Sequence, residues 1–309
     1  MQITHTSASE SGQIYIPAIN WLILVAVIIT TIAFQNSSAI ASAYGIAVTG
    51  TMLITTILTF FVLRHSWKYP LWICLGATSA FFLLDLMLLA SCSVKFFKGG
   101  WFPVALGIGL VIIMWTWKQG RAILLKQIHE GDPKLEDFVA HISAKNNLSE
   151  NKPRIERTAV FLCANQDTVP QALMHNLKHN QVLHQHNLIL TVNFADIPVV
   201  EKADRFTIKE NGAGFWQVKL NYGFMESPDI PKALADCNIK DMTLDPFTTS
   251  YFISRETIIS GPNTPRQGDK MAKWRDDLFA VMSRNAGSVV AYFNIPSNSV
   301  IELGTRVHI

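Results

Sequence analysis

Pro17-Ala-Ile-Asn-Trp-Leu-Ile-Leu-Val-Ala-Val-Ile-Ile-Thr-Thr-Ile-Ala-Phe34-Gln35 decides the fold. No charged side chain interrupts it, and Asp, Glu, Lys, Arg and His are all absent from Ser11 to Leu63. Lipid offers an open backbone no hydrogen-bond partner, so such a run has to coil into a helix; about 20 apolar residues then span a hydrocarbon core about 30 Å thick. Three further stretches, 43–63, 70–91 and 101–117, meet the same test. Pro17 and Pro70 suit the first turns of their helices, where a missing N–H costs nothing. Trp21, Trp67, Trp72, Trp101, Trp115 and Trp117 fall at or near the predicted ends, where amphipathic rings favour the headgroup layer.

Outside these runs the chain changes solvent. Mean hydropathy is +0.23 and only 16% of residues are charged, low for a soluble protein. From Lys118 onward, however, charges recur every few positions. Residues 1–16 read as a cytosolic segment without the basic region that opens a cleaved signal peptide. Arg64 and Lys68 between the second and third helices, and Lys118, Arg121 and Lys126 after the fourth, place both ends of the bundle in the cytoplasm; Lys95 and Lys98 oppose them. Residues 118–156 read as a connecting arm, helical over Lys118–Ile128, broken at Gly131-Asp132-Pro133 and polar through Lys145–Pro153.

A cytosolic α/β or α+β domain is expected over 157–309. Strands are predicted at Thr158–Ala164, Leu188–Val192 and Ser250–Ile259, helices at Val169–His184, Ile230–Cys237 and Lys270–Asn285, and a hairpin over Arg205–Tyr222. The hairpin turns at Asn211-Gly-Ala-Gly214, which joins two strands and so cannot be a phosphate-binding loop between strand and helix.

Several function classes are disfavoured. A net charge of +3 with scattered basic residues gives no field that draws nucleic acid, and none is expected as a partner. Cys74, Cys92, Cys163 and Cys237 are far apart and read as small buried apolar residues. His175 and His179 share a helical face, with His184 and His186 close behind, but no Glu stands at H-E-x-x-H spacing. Solvated or capping histidines are the better reading. No nucleophile with a base at readable spacing is visible, so neither catalysis nor a metal or cofactor is expected.

Two membrane features stand out. Ser37 to Thr51 is rich in small and hydroxylated residues and holds one phenol, Tyr44. Such faces mostly serve close helix packing, although hydroxyls and freed carbonyls can also replace an ion's water shell. Asp85 is the lone acid of the third helix, flanked by Leu84 and Leu86. An intramembrane carboxylate can exchange protons, hold two helices together, or lie near the outer surface in water.

The runs Ile3-Thr-His-Thr-Ser7, Gly12-Gln-Ile-Tyr-Ile-Pro-Ala-Ile-Asn-Trp21, Ala43-Tyr-Gly-Ile-Ala-Val-Thr-Gly-Thr-Met52, Gly99-Gly-Trp-Phe-Pro103, Ala172-Leu-Met-His-Asn-Leu-Lys-His-Asn180 and Ile301-Glu-Leu-Gly-Thr-Arg306 strongly resemble the bacterial Kup branch of the Kup/HAK/KT potassium uptake transporters. The resemblance covers nearly the whole chain. It implies a twelve-helix inverted-repeat transporter that couples potassium entry to proton entry across the inner membrane and carries a cytosolic C-terminal domain. This chain would then hold the last four membrane helices plus that domain, with Met1 an internal or secondary start. Its partners would be potassium, protons, the lipid bilayer, the N-terminal portion of the same transporter, and a second copy through the cytosolic domain.

The helices that carry the main ion ligands in that fold would lie outside the chain, so no ion-site residue transfers. The resemblance leaves Tyr44 as the best candidate for a pathway or gate contact, followed by Ser42 and Thr49, with Asp85 as a proton-linked group. The alternative is that the cytosolic domain acts as a regulatory ligand-binding or assembly module.

Overall fold

A computed structural model describes residues 4–7, 9–10, 12–129, 133–146, 154–237, 239, 242, 244, 248–259 and 271–308. The chain divides into one unit over Pro17–Trp115 and another made of the first sixteen residues with Thr116–Ile309. In the first sixteen residues β1 (Thr4–His5) pairs antiparallel with β2 (Ile14–Tyr15).

The Pro17–Trp115 unit begins with α1 (Pro17–Phe34), which has no buried residue. Gln35 takes a left-handed conformation, φ 50°, and turns the chain. Asn36 then caps α2 (Ser37–Phe61), its side chain accepting from the Ser38 amide and hydroxyl. This corrects the expected second span at 43–63, which left residues 36–42 as a link between helices. The serines that read as loop are the first turn of a capped helix.

One wider π turn, Val62–Ser66, ends α2. Pro70 precedes α3 (Leu71–Ser93), and Gly99 (φ 137°) and Gly100 lead into α4 (Trp101–His129). A Cβ on Gly99 would meet the Ala39 carbonyl, and one on Gly100 would strike Ile46, so both glycines let the chain pass close over the start of α2. α2 and α3 form an antiparallel hairpin, with Gly45 beside Cys92 at one level and Thr56 on Asp85 at another. Among the described residues four helices are long and apolar enough to cross a membrane: Pro17–Phe34, Ser37–Ser66, Leu71–Ser93 and Trp101–Ile128.

The second unit is an α/β fold. It adds to the end of α4 the helix α5 (Leu135–Asn146), then β3 (Arg154–Leu162), α6 (Gln171–His179), β4 (Leu183–Ala195), β5 (Phe206–Gly212), β6 (Phe215–Gly223), α7 (Ile230–Ala235), β7 (Thr249–Ile259), α8 (Lys273–Arg284), α9 (Val289–Tyr292) and β8 (Val300–His308). The sheet order is β5-β6-β4-β3-β7-β8, parallel except for β5. Both faces are covered, which is why β3 reads as the unbroken apolar run Ala159-Val160-Phe161-Leu162. Val160, Leu188, Val218 and Tyr251 pack toward α7 and α9. Ala159, Phe161, Ile189 and Phe252 pack toward α5 and α6, Phe161 stacking on Phe252 at 4.8 Å.

The structure corrects the arm expected over 118–156. Leu135, Val139 and Ile142 of α5 are buried in the sheet's core, and Leu124 near the end of α4 packs with Phe279 and Ala280 of α8. These apolar positions recur at helical spacing, but the polar residues between them masked the pattern. Of the expected break and polar stretch, Gly131, Asp132 and 147–153 lie outside the described residues.

Strand β4 is far longer than its expected five residues, and α6 is shorter than expected because Gln181, φ 57°, turns the chain into the sheet. The strand β8 was not anticipated at all. The Asn211–Gly214 turn is a hairpin as read, with Gly212, Ala213 and Gly214 all at positive φ.

Candidate functional site

Three positions on α2 were singled out, and the helix separates them. Ile46 and Thr49 are buried on the side facing α3, with Ser42 half-buried on that side. Tyr44 is 70% exposed on the opposite side. A residue advances about 100° per step, so 44 and 49 cannot share one face. Ser42 donates to the Ser38 carbonyl at 2.8 Å and Thr49 to the Gly45 carbonyl at 2.8 Å. Both hydroxyls are thus engaged with their own helix, as in membrane helices that pack closely.

Asp85 is only 4% exposed and sits inside the α2–α3 pair, where Thr56 Oγ1 donates to its Oδ2 at 2.6 Å. Burial against a neighbouring helix does not match a carboxylate standing in outside water. The short bond ties two membrane helices together, and interhelical bonds of this kind contribute about 0.6 kcal/mol on average.

In the α/β unit the strand order reverses at β3: the chain runs through β4 and β6 on one side and returns to β7 and β8 on the other. Crevices outside the carboxyl ends of strands at such a point are where open α/β sheets hold ligands. The end of β3 carries Cys163, whose Sγ lies 3.3 Å from Thr191 Oγ1. Gln217 Nε2 donates to the Gln166 carbonyl at 2.7 Å, while Gln166 Nε2 is buried without a partner among the described residues. Burial raises the Cys163 thiol, and it pushes Cys237 up to about 11, so neither is a thiolate near neutral pH.

The histidines do not converge. His175 stacks on His179 with ring centroids 5.9 Å apart and contacts Thr305 Oγ1 through Nε2. His184 is buried edge-on against Phe252, which corrects its reading as a solvated side chain. Burial lowers its pKa, and the Arg157 charge lowers it further. Among the described residues no three potential ligands gather for a metal.

A second polar cluster closes the end of β6. Glu226 accepts from Arg205, from the Gly223 amide at 2.6 Å and from the Val200 amide at 3.2 Å, while Arg205 lies over the Tyr222 ring. Burial opposes the Glu226 charge, but the Arg205 guanidinium and the two amides outweigh it and hold the carboxyl below its ordinary value. Every one of these groups is satisfied internally, so the cluster staples the 196–205 loop to β6. Its stabilisation is complete above the unfolded carboxyl's pKa of about 4.3 and fades as pH falls through the lower folded value. Glu226→Ala is expected to cost about 1.5–3 kcal/mol at neutral pH and little in strong acid, read by urea unfolding across pH. An equal cost at both extremes would contradict the assignment.

Fold and site together define a class: a multi-pass membrane protein that carries an α/β unit after its last apolar helix. A family model described as the K+ potassium transporter integral membrane domain matches residues 1–122, and one described as the K+ potassium transporter C-terminal domain matches 156–309. The chain is 53% identical over 309 residues to the probable potassium transport system protein Kup 2 of Albidiferax ferrireducens, covering all of this chain and 48% of that protein. It is 44% identical to the probable Kup of Methylibium petroleiphilum and 45% to the probable Kup 1 of Albidiferax ferrireducens, with the same coverage. The chain belongs to the Kup/HAK/KT family of potassium transporters, and it spans about half the length of the relatives it matches.

Proposed function

We propose that this chain works as the C-terminal portion of a potassium uptake transporter in the bacterial inner membrane. In this reading potassium enters together with protons, and both ends of the four-helix segment and the α/β unit lie in the cytoplasm. The observation that carries it is the pairing of a four-span membrane unit and an α/β unit in one chain, in the order of the two matching family models. The reading includes a twelve-helix inverted-repeat whole, to which this chain contributes the last four helices, and the relatives, about twice as long as this chain, have room for the others. Co-expression with the N-terminal half of the Albidiferax ferrireducens relative should restore growth at low external potassium in cells lacking uptake systems. Rescue by the chain alone would overturn the reading. A second copy pairing through the α/β unit belongs to the same proposal, and light scattering of the assembled protein reads it.

Tyr44 is the pathway or gate contact favoured by its exposure, because a phenol presents both an oxygen to a cation and a ring that can close a passage. Ser42 and Thr49 are weaker, with their protons already given to α2. In the assembled transporter Tyr44→Ala is expected to lower uptake of a potassium tracer about tenfold or more and Tyr44→Phe several-fold less. Wild-type uptake in both would return Tyr44 to packing.

Asp85 is the proton-linked candidate. Asp85→Asn keeps an oxygen for Thr56 and removes the titration, so a shifted pH dependence of uptake is expected with assembly intact. An unchanged profile would leave Asp85 as a helix tie alone.

A second reading is favoured by the Gln166 Nε2 atom, buried and without a partner among the described residues, beside the point where strand order reverses. There the α/β unit would bind a cytosolic ligand and bias transport. Calorimetry of the whole chain in detergent with a nucleotide panel checks it, and no heat of binding across the panel would count against it.

A further inference from the structure

The charge-free run of α4 closes at Trp117, and Lys118 and Arg121 follow, both exposed. Indoles and cationic side chains collect in the headgroup layer, so Thr116 to Arg121 marks the depth at which this helix leaves the hydrocarbon. One further element stands at that depth. Gly120 lies against the Phe279 ring, and one turn back along both helices Arg275 Nε donates to Thr116 Oγ1 at 3.0 Å. Contacts at matching spacing mean that α8 runs alongside the end of α4 in the same direction, with Lys273 and Trp274 at the end that reaches the headgroup level. All of these residues belong to the Thr116–Ile309 unit.

What α8 presents there suits a boundary better than open water. Trp274 is 55% exposed and has neither a ring contact nor a hydrogen bond among the described residues. Lys273 is exposed too, and like Lys118 and Arg121 it forms no ion pair among the described residues. It stands four residues before Asp277, the spacing of a helical ion pair, yet that pair is not made. The acids of α8, Asp276 and Asp277, come further along, away from the level of Thr116. An indole with unpaired cations around it fits anionic phospholipid: the ring takes the boundary between acyl chains and water, and the cations meet phosphates.

We infer that the N-terminal end of α8 is a lipid-binding surface, on which Trp274 enters the headgroup layer around α4 while Lys273, with Lys118 and Arg121, holds anionic headgroup phosphates. Lipid is the occupant because α4 emerges from it at this level, and its charge is opposite to that of the unpaired side chains. The joint between α4 and α8 is thereby held from a second side, and the negative charge of the leaflet sets how firmly. The inference depends on α4 ending in lipid and not on what the protein carries across the membrane.

The test uses the full chain in vesicles of phosphatidylcholine with a minor share of phosphatidylglycerol, alone and together with the N-terminal half of the Albidiferax ferrireducens relative. Benzoylphenylalanine replaces Trp274 or, as a control, the exposed Val281 two turns further along α8. Illumination should add the mass of one phospholipid from position 274 and not from position 281, in both preparations. Phosphatidylglycerol should exceed its share of the vesicle about fivefold among those adducts, Lys273→Gln should lower the excess several-fold, and Lys273→Arg should keep it. Raised salt should lower it as well. An adduct from position 274 to either half or to a second copy, in place of lipid, would overturn the inference. So would no adduct there, equal lipid labelling from position 281, or adducts that mirror the bulk lipid composition.

Discussion

A fragment of residues 157–309 is expected not to fold on its own, whereas one of residues 116–309 is expected to unfold cooperatively. The matching C-terminal family model starts at 156, and the change in composition invites a cut near that point. The core does not respect it. Leu124, Leu135, Val139 and Ile142 are 3%, 0%, 3% and 6% exposed, and all four precede the cut. Each buried side chain of this size contributes about 1.5–3 kcal/mol, roughly 6–12 kcal/mol together, which is comparable to the roughly 5–15 kcal/mol that holds a whole domain. Removing them also bares Phe161, Phe252 and Phe279. Near-UV circular dichroism and urea unfolding of the two fragments check this. A cooperative transition of the shorter fragment, at the midpoint of the longer one, would show that α4 and α5 are accessories.

The second large effect is expected at the joint between the end of α4 and α8. Phe279 is fully buried, packs on Trp117 at 5.5 Å, and lies so close to Gly120 that a Cβ there would fall 2.5 Å from the ring. Arg275 Nε donates to Thr116 Oγ1 at 3.0 Å one turn away. Phe279→Ala is expected to cost about 3–5 kcal/mol, the range for emptying a phenylalanine-sized site. Gly120→Ala is expected to cost about 1–3 kcal/mol, although alanine is the better helix former, because the new methyl has nowhere to go. Combined, the two should cost less than their sum by more than about 0.5 kcal/mol, since the methyl enters the space the ring leaves. Urea unfolding of residues 116–309 measures all three. Strict additivity would mean that Gly120 and Phe279 do not share a contact.

Much of this arrangement was legible beforehand, and particular residues show where legibility stopped. The charge-free run after Pro17 demanded helices whatever they pack against, and the Asn211–Gly214 turn announced its hairpin through two glycines. The first turn of α2 was missed because serines serve loops and capped helix starts alike, and only the Asn36 side chain on Ser38 decides between them. α5 was missed for a related reason: Leu135, Val139 and Ile142 are spaced for one helical face, but what they pack against lies in the strands β3 and β4 and is distant in sequence. β8 was missed because its nine residues, four of them polar, gain their order from pairing with β7.

The candidate site divides the same way. Composition marked the 37–51 run and the lone acid Asp85 as unusual for membrane helices, because burying polar atoms in lipid is expensive wherever it occurs, and the resemblance picked Tyr44, Ser42 and Thr49 out of that run. It could not say that Tyr44 faces away from the other two, nor that Asp85 meets Thr56 across a helix pair.

By itself, then, the order of residues determined which segments coil through a bilayer and which alternate as strand and helix in water. Those outcomes depend on the solvent of a local stretch and on hydrogen bonds closed within it. Tertiary structure alone decided which face of α2 is occupied, where the α/β unit begins, and which hydroxyl holds the buried carboxylate. Each of these is a choice among distant partners, settled by packing.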